Sequence, residues 1–334
     1  MPGRLLRSVL PALVGTLVLA VLTVAPAHAA APSYVALGDS YSSGVGTRTY
    51  LDDGTDCQRS AYAYPSLIAA ATGYSLNFRA CSGATVADVT STQLSALSSS
   101  TSYVTISVGG NDAGFADVIT ECALPAWASD CSGAVATAQN YIRTTLPGSL
   151  STLYGSIRSK APNATVVVVG YAKLFMGEDC NALTWFSPED EQILNDTAVL
   201  LDDTIGAAAA AKGFTFVNPI AAFTGHAVCD DPEWLNGLSN PVTESYHPNR
   251  AGHASGYTPL VSGSLTGAAV SVTPAVESRA AESAGALAAS QQRYAAADRA
   301  IEPKVVRLPT RAQLERLADA RGIDLDRWLA RHPG

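Results

Sequence analysis

The sequence predicts an α/β fold, a doubly wound parallel sheet with helices on both faces, and three observations carry that expectation. Short β-branched or aromatic runs alternate with longer Ala-rich stretches between about residues 30 and 267. One run, Thr165-Val-Val-Val-Val-Gly170, is apolar without alternation, as expected of a strand buried on both sides. Apolar residues make up 47% of the chain and charged residues 15%, which supplies a core and excludes disordered, collagen-like and coiled-coil chains.

The elements follow in order. Strands are predicted at Tyr34–Leu37, Leu76–Arg79, Tyr103–Val108, Thr165–Gly170 and Phe214–Val217. Helices are predicted at Tyr64–Ala71, at Ala134–Lys160 with a break near Pro147, and from about Asn249 onward. The clearest helix starts at Ser187, with Pro188 in its first position. Glu189, Asp190 and Glu191 meet the positive end of its dipole, and Gly213 stops it after about Ala211. The order reads βαβαβαβαβα, the pattern of a doubly wound sheet.

The two ends of the chain differ from this middle. Residues 1–29 carry Arg4 and Arg7, an apolar run from about Val9 to Val24 and then Ala27-His28-Ala29, which reads as a cleaved signal and predicts a secreted protein. Pro11, Gly15 and Pro26 interrupt or flank that run, and a membrane anchor needs roughly 20 unbroken apolar residues, so no integral anchor is expected. Beyond Gly267 the charged residues rise from 30 of 238 to 18 of 67 and cysteine disappears. Residues 268–334 are therefore expected to be an Ala- and Arg-rich tail, helical or partly disordered, with a capping box at Thr310 and Gln313. Residues 30–267 are left as the one catalytic-size domain.

Six cysteines, Cys57, Cys81, Cys122, Cys131, Cys180 and Cys229, fall after the predicted signal, an even number suited to an oxidising compartment. They allow roughly 15 pairings, among which spacing does not choose. With no Cys-x-x-Cys pair, no metal site is expected. Residues 30–267 hold 9 Lys and Arg against 21 Asp and Glu, a net of −12, whereas 268–334 carry a net of +2. An acidic body repels polyanions, so nucleic acid is not an expected partner. Gly109-Gly110 lacks the further glycine and ribose-binding acid of a dinucleotide site, and no cofactor is expected.

Open parallel sheets bind ligands beyond the C-terminal ends of their strands. Four places there bring Ser40, Gly83, Asn111 and His247 together: Gly38-Asp39-Ser40-Tyr41-Ser42, Cys81-Ser82-Gly83-Ala84, Gly109-Gly110-Asn111-Asp112 and Glu244-Ser245-Tyr246-His247-Pro248. Each suits acyl transfer. A serine hydroxyl needs a base, and histidine is the side chain matched to that task near neutral pH. Attack on an ester leaves an oxyanion, for which the N–H groups of Ser40 and Gly83 and the Asn111 amide are the candidate donors. Of the other histidines, His253 reads as structural and His226 lies in no motif. Asp39 and Asp112 read as supports that hold loop amides. Phe115, Trp127, Trp185 and Trp234 are candidates for an acyl-chain groove, with core packing the equal alternative.

These blocks resemble the SGNH hydrolase superfamily, the GDSL esterases and lipases, over about Tyr34 to Thr266, and most of all its secreted actinobacterial lipase and phospholipase members. The resemblance implies a three-layer α/β/α sandwich with a flavodoxin-like five-stranded parallel sheet, three nearest-neighbour disulfides, and the roles of Ser40, Gly83, Asn111 and His247. It implies action on lipid or other small-molecule esters, and a monomer is expected. Two departures stand out. Tyr41 occupies the family's Leu position, a change expected to alter packing only. The acid that many relatives place three residues before the histidine is here Glu244, one methylene longer, so the expected arrangement is a Ser40–His247 dyad with the Ser245 carbonyl orienting the imidazole. The rival expectations are a carbohydrate acetyl or feruloyl esterase of the same fold and a non-catalytic secreted binding protein. All four positions are filled, which counts against the last.

Overall fold

The computed structural model describes Met1, Gly3 and residues 30–332, so the predicted signal lies outside the described residues. Five strands, β1 (Ser33–Gly38), β2 (Ser75–Phe78), β3 (Tyr103–Ser107), β4 (Thr165–Val169) and β5 (Thr215–Val217), form one sheet. All pairs are parallel and the order is β2-β1-β3-β4-β5, the flavodoxin-like winding. The valine run behaves as its pattern requires, since Val166 to Val169 are all buried.

The helices are α1 (Ser40–Ser43), α2 (Tyr64–Thr72), α3 (Val86–Asp88), α4 (Phe115–Cys122), α5 (Cys131–Thr144), α6 (Leu146–Lys160), α7 (Pro188–Ala210), α8 (Thr258–Thr266), α9 (Pro274–Gln291), α10 (Ala295–Asp298), α11 (Arg311–Asp319) and α12 (Leu325–Leu329). One layer holds α2, α8 and α9; α5, α6 and α7 pack together in the other. The break near Pro147 separates α5 from α6, because proline fits a first turn, where no N–H is needed, and not a helix interior. At α7 the Ser187 hydroxyl and the Asp190 carboxylate satisfy each other's backbone N–H groups, a full capping box. Helix α8 is preceded by a wide π turn, Gly252–Tyr257, that periodicity does not reveal.

The disulfides are Cys57–Cys81, Cys122–Cys131 and Cys180–Cys229, the nearest-neighbour set. Among the described residues, no helix is long and apolar enough to cross a membrane. The compositional boundary at residue 267 is not a break in packing. Helix α9 lies on α2 and β2, Ile301 and Val306 enter the main core, and α11 and α12 close a small cluster over Trp127 and Trp185. Everything from Ala31 onward is one compact unit.

Candidate active site

Ser40 sits where β1 leaves the sheet, at the switch point between β1 and β3. The preceding Gly38 has φ 122, and a Cβ there would lie 2.3 Å from the Ser107 carbonyl oxygen, so only glycine lets the chain turn this tightly. Gln93, fully buried, fixes the same residue by accepting the Gly38 N–H (2.8 Å) and donating to its carbonyl (2.9 Å). Asp39 then caps the one-turn helix α1 by accepting the Tyr41 N–H.

His247 reaches this serine from the loop after β5. Its Nε2 is 2.8 Å from Ser40 Oγ and its Nδ1 is 2.8 Å from the Ser245 carbonyl oxygen. Between them Tyr246 holds φ 58, a left-handed conformation uncommon for a side chain of that size, and the carbonyl two residues back faces the ring. Glu244 is turned elsewhere: its carboxylate accepts the Gly46 N–H (2.8 Å) and the Tyr50 hydroxyl (2.5 Å). Burial pushes the His247 imidazole down to about 4, with the Ser245 carbonyl pulling the other way.

The backbone N–H groups of Ser40 and Gly83 have no protein partner among the described residues. Asn111 Nδ2 donates one hydrogen to the Ala84 carbonyl (3.0 Å), which orients the amide and leaves its second N–H free. Asp112 accepts the Val86 N–H and so ties the loops after β2 and β3 together. Asp39 also accepts the Tyr171 hydroxyl, which in turn accepts the Gly110 N–H (3.3 Å). Burial raises Asp39 to about 7, an effect that the Tyr171 bond opposes. Tyr41 does more than pack, for its hydroxyl donates to the Tyr246 carbonyl (3.0 Å) and joins the serine turn to the histidine loop.

A narrow apolar cavity of about 80 Å³ opens beside Ser40, with Phe115, Ile119, Ile142, Leu174, Leu194 and Leu201 in its wall. Of the four aromatic candidates only Phe115 lines it. Trp127 and Trp185 pack edge-on against Trp328, and Trp234 meets Phe223 and stacks on His226, because the C-terminal helices and the loop after β5 take those faces. His253 is fully buried and accepts the Tyr64 N–H. The one cluster with ligating distances among the described residues, Cys180, Cys229 and Glu233, has both sulfurs in a disulfide and so offers no thiolate to a metal. Gln93, Tyr171 and Tyr50 escaped sequence reasoning, since no motif marks them and their partners lie 55, 132 and 194 residues away.

This is the architecture of a serine ester hydrolase, and residues 36–255 match the model of the GDSL-like lipase/acylhydrolase family, to which the chain belongs. The chain is 47% identical over 238 residues to lipase 1 of Streptomyces coelicolor, covering 70% of this chain and 87% of that protein. Of solved structures, phospholipase A1 from Streptomyces albidoflavus superposes with a TM-score of 0.67 at 43% identity. The extracellular lipase of Streptomyces rimosus does so at 0.66 and 41%. Each is covered over 100% of its length by 70% of this chain.

Proposed function

We propose that the chain is a secreted lipase- or phospholipase-type enzyme, working as a monomer, that cleaves acyl esters through an acyl-enzyme on Ser40. His247 Nε2 takes the Ser40 proton as Oγ bonds to the ester carbonyl carbon. The negative oxygen is met by the N–H groups of Ser40 and Gly83 and by the Asn111 amide. Collapse breaks the carbon–oxygen bond to the alcohol, which leaves with the proton held by His247. Water repeats the sequence, giving its proton to His247 and its oxygen to the acyl group, and Ser40 regains its hydrogen.

The observation that carries this reading is the 2.8 Å contact from Nε2 to Oγ in a ring whose other nitrogen faces a carbonyl 2.8 Å away. A carbonyl oxygen only accepts, so Nδ1 carries the hydrogen and Nε2 presents its lone pair to the serine. A lipid acyl group is supported by the apolar cavity beside Ser40 and by the names of the similar proteins. Incubation with an alkyl fluorophosphonate tests it. A mass increase mapped to Ser40, abolished in Ser40→Ala together with ester turnover, is the expected result; labelling elsewhere, or undiminished turnover in the variant, defeats it.

A further inference from the structure

The family match ends at residue 255, so the segment that follows α8 is read from its own residues. It is pinned at the site from both sides. On one side the Asp298 carboxylate of α10, fully buried, accepts from Arg59 Nη2 (2.6 Å) and from Arg79 Nη2 and Nη1 (2.6 and 2.9 Å), two equally buried arginines. On the other, Val306 is buried and the Arg307 N–H donates to Thr120 Oγ1 of α4 (3.0 Å). Between these anchors the backbone lies on the glycine proposed for the oxyanion hole. Gly83 has φ 82, and a Cβ there would sit 2.3 Å from the Glu302 carbonyl oxygen and 3.0 Å from the Lys304 nitrogen.

A cleft of about 340 Å³ runs between this strap and the start of α4. Asn111 and Phe115 belong to its wall and also to that of the apolar cavity beside Ser40, so the two spaces meet at the candidate oxyanion donor. The two halves of an ester diverge from the carbonyl carbon. With the acyl chain in the apolar cavity, the alcohol half extends toward the cleft, where Asp117, Glu302, Lys304 and Arg307 make the wall polar.

We infer that residues 302–307 form the subsite for the alcohol half of the ester, and that Lys304 and Arg307 select an alcohol carrying a phosphodiester. The charges decide the class. The Glu302 side chain is 88% exposed and only 4.0 Å from Lys304 Nζ, a loose surface pair. Arg307 has no carboxylate within salt-bridge distance among the described residues. Among the described residues that line the cleft, Lys304 and Arg307 are the only cations, so the C-terminal segment is what brings positive charge to this rim. Guanidinium and ammonium groups meet phosphate oxygens with charge-assisted hydrogen bonds, for which a neutral glyceride offers no counterpart. Asp117 in the same cleft opposes a second negative charge, which favours a diester over a phosphomonoester.

This subsite rests on the reading of Ser40 as nucleophile, and the test separates the two. Full-length protein and a Lys304→Ala/Arg307→Ala variant are assayed on dihexanoylphosphatidylcholine and on dihexanoylglycerol, which share acyl groups and glycerol and differ in the phosphodiester head. The ratio of the two kcat/KM values should fall about tenfold in the variant, two rim cations acting together on one anion. The exchange variant Lys304→Arg/Arg307→Lys should restore it. A fall of less than about threefold, near the strength of a single exposed charge pair, overturns the subsite. Turnover of both esters by Ser40→Ala would instead defeat the nucleophile, whatever the ratio.

Discussion

At His247 a neutral carbonyl stands where many hydrolases have a carboxylate, and the substitution sets the pH behaviour. A carboxylate stabilises the imidazolium and lifts its pKa, whereas the Ser245 carbonyl supplies a dipole that burial outweighs, so the ring falls to about 4. The base must be neutral to accept the serine proton. Lowering its pKa therefore extends activity downward, and kcat/KM should hold from neutral pH to about 5 and drop toward 4, below the pH 6–7 limb expected of an unperturbed histidine. Glu244, occupied by Gly46 and Tyr50, has no part in that titration. Profiles of parent and Glu244→Gln on one soluble ester, measured between about pH 3.5 and 8, should have the same limb, with rates within about tenfold, against the roughly 10⁴-fold loss when a triad acid is neutralised. A limb at 6–7, or a loss near that larger figure, would put a carboxylate back in charge of the ring.

Among the elements, what was legible in the sequence is what local chemistry dictates. The valine run, the Ser187 capping box and the break before Pro147 are set by residues within one turn or one pleat of each other, and the strand ends then brought Ser40, Gly83, Asn111 and His247 to one rim. Illegible were the pieces fixed by partners far along the chain. Gln93 carries no motif, and α10 is four residues long, yet its Asp298 neutralises two arginines that lie 239 and 219 residues earlier in the chain. Charge-rich composition marks solvent exposure on average, and here it hid a buried anchor. Asp298→Ala should therefore cost about 3–5 kcal/mol, because Arg79 loses the only carboxylate within salt-bridge distance among the described residues while Arg59 keeps Asp53. Urea unfolding midpoints read this directly, with Glu315→Ala on the exposed face of α11 as the surface comparison. A loss under about 1 kcal/mol, typical of a surface pair, would mean that water reaches the cluster.

Over the whole molecule the three disulfide loops and the C-terminal segment make one rim. Cys57–Cys81 brackets Arg59 and Arg79, which hold α10; Cys122–Cys131 brackets Trp127 and Cys180–Cys229 brackets Trp185, both packed on Trp328 of α12. Two effects then compete when a bridge is removed. Loop-closure entropy scales with the logarithm of the span, and the spans are 9 residues for Cys122–Cys131 and 49 for Cys180–Cys229. On that account, replacing the longer bridge by a Ser pair should cost about 1.5 kcal/mol more than replacing the shorter one. Native packing predicts otherwise, since Trp127 and Trp185 meet the same Trp328 and would hold both loops alike. Unfolding free energies of the two Ser-pair variants decide between them. The gap is expected, because packing survives in the folded state of both variants and only the unfolded chain gains freedom; equal losses would show that the rim is held by the C-terminal helices rather than by its bridges.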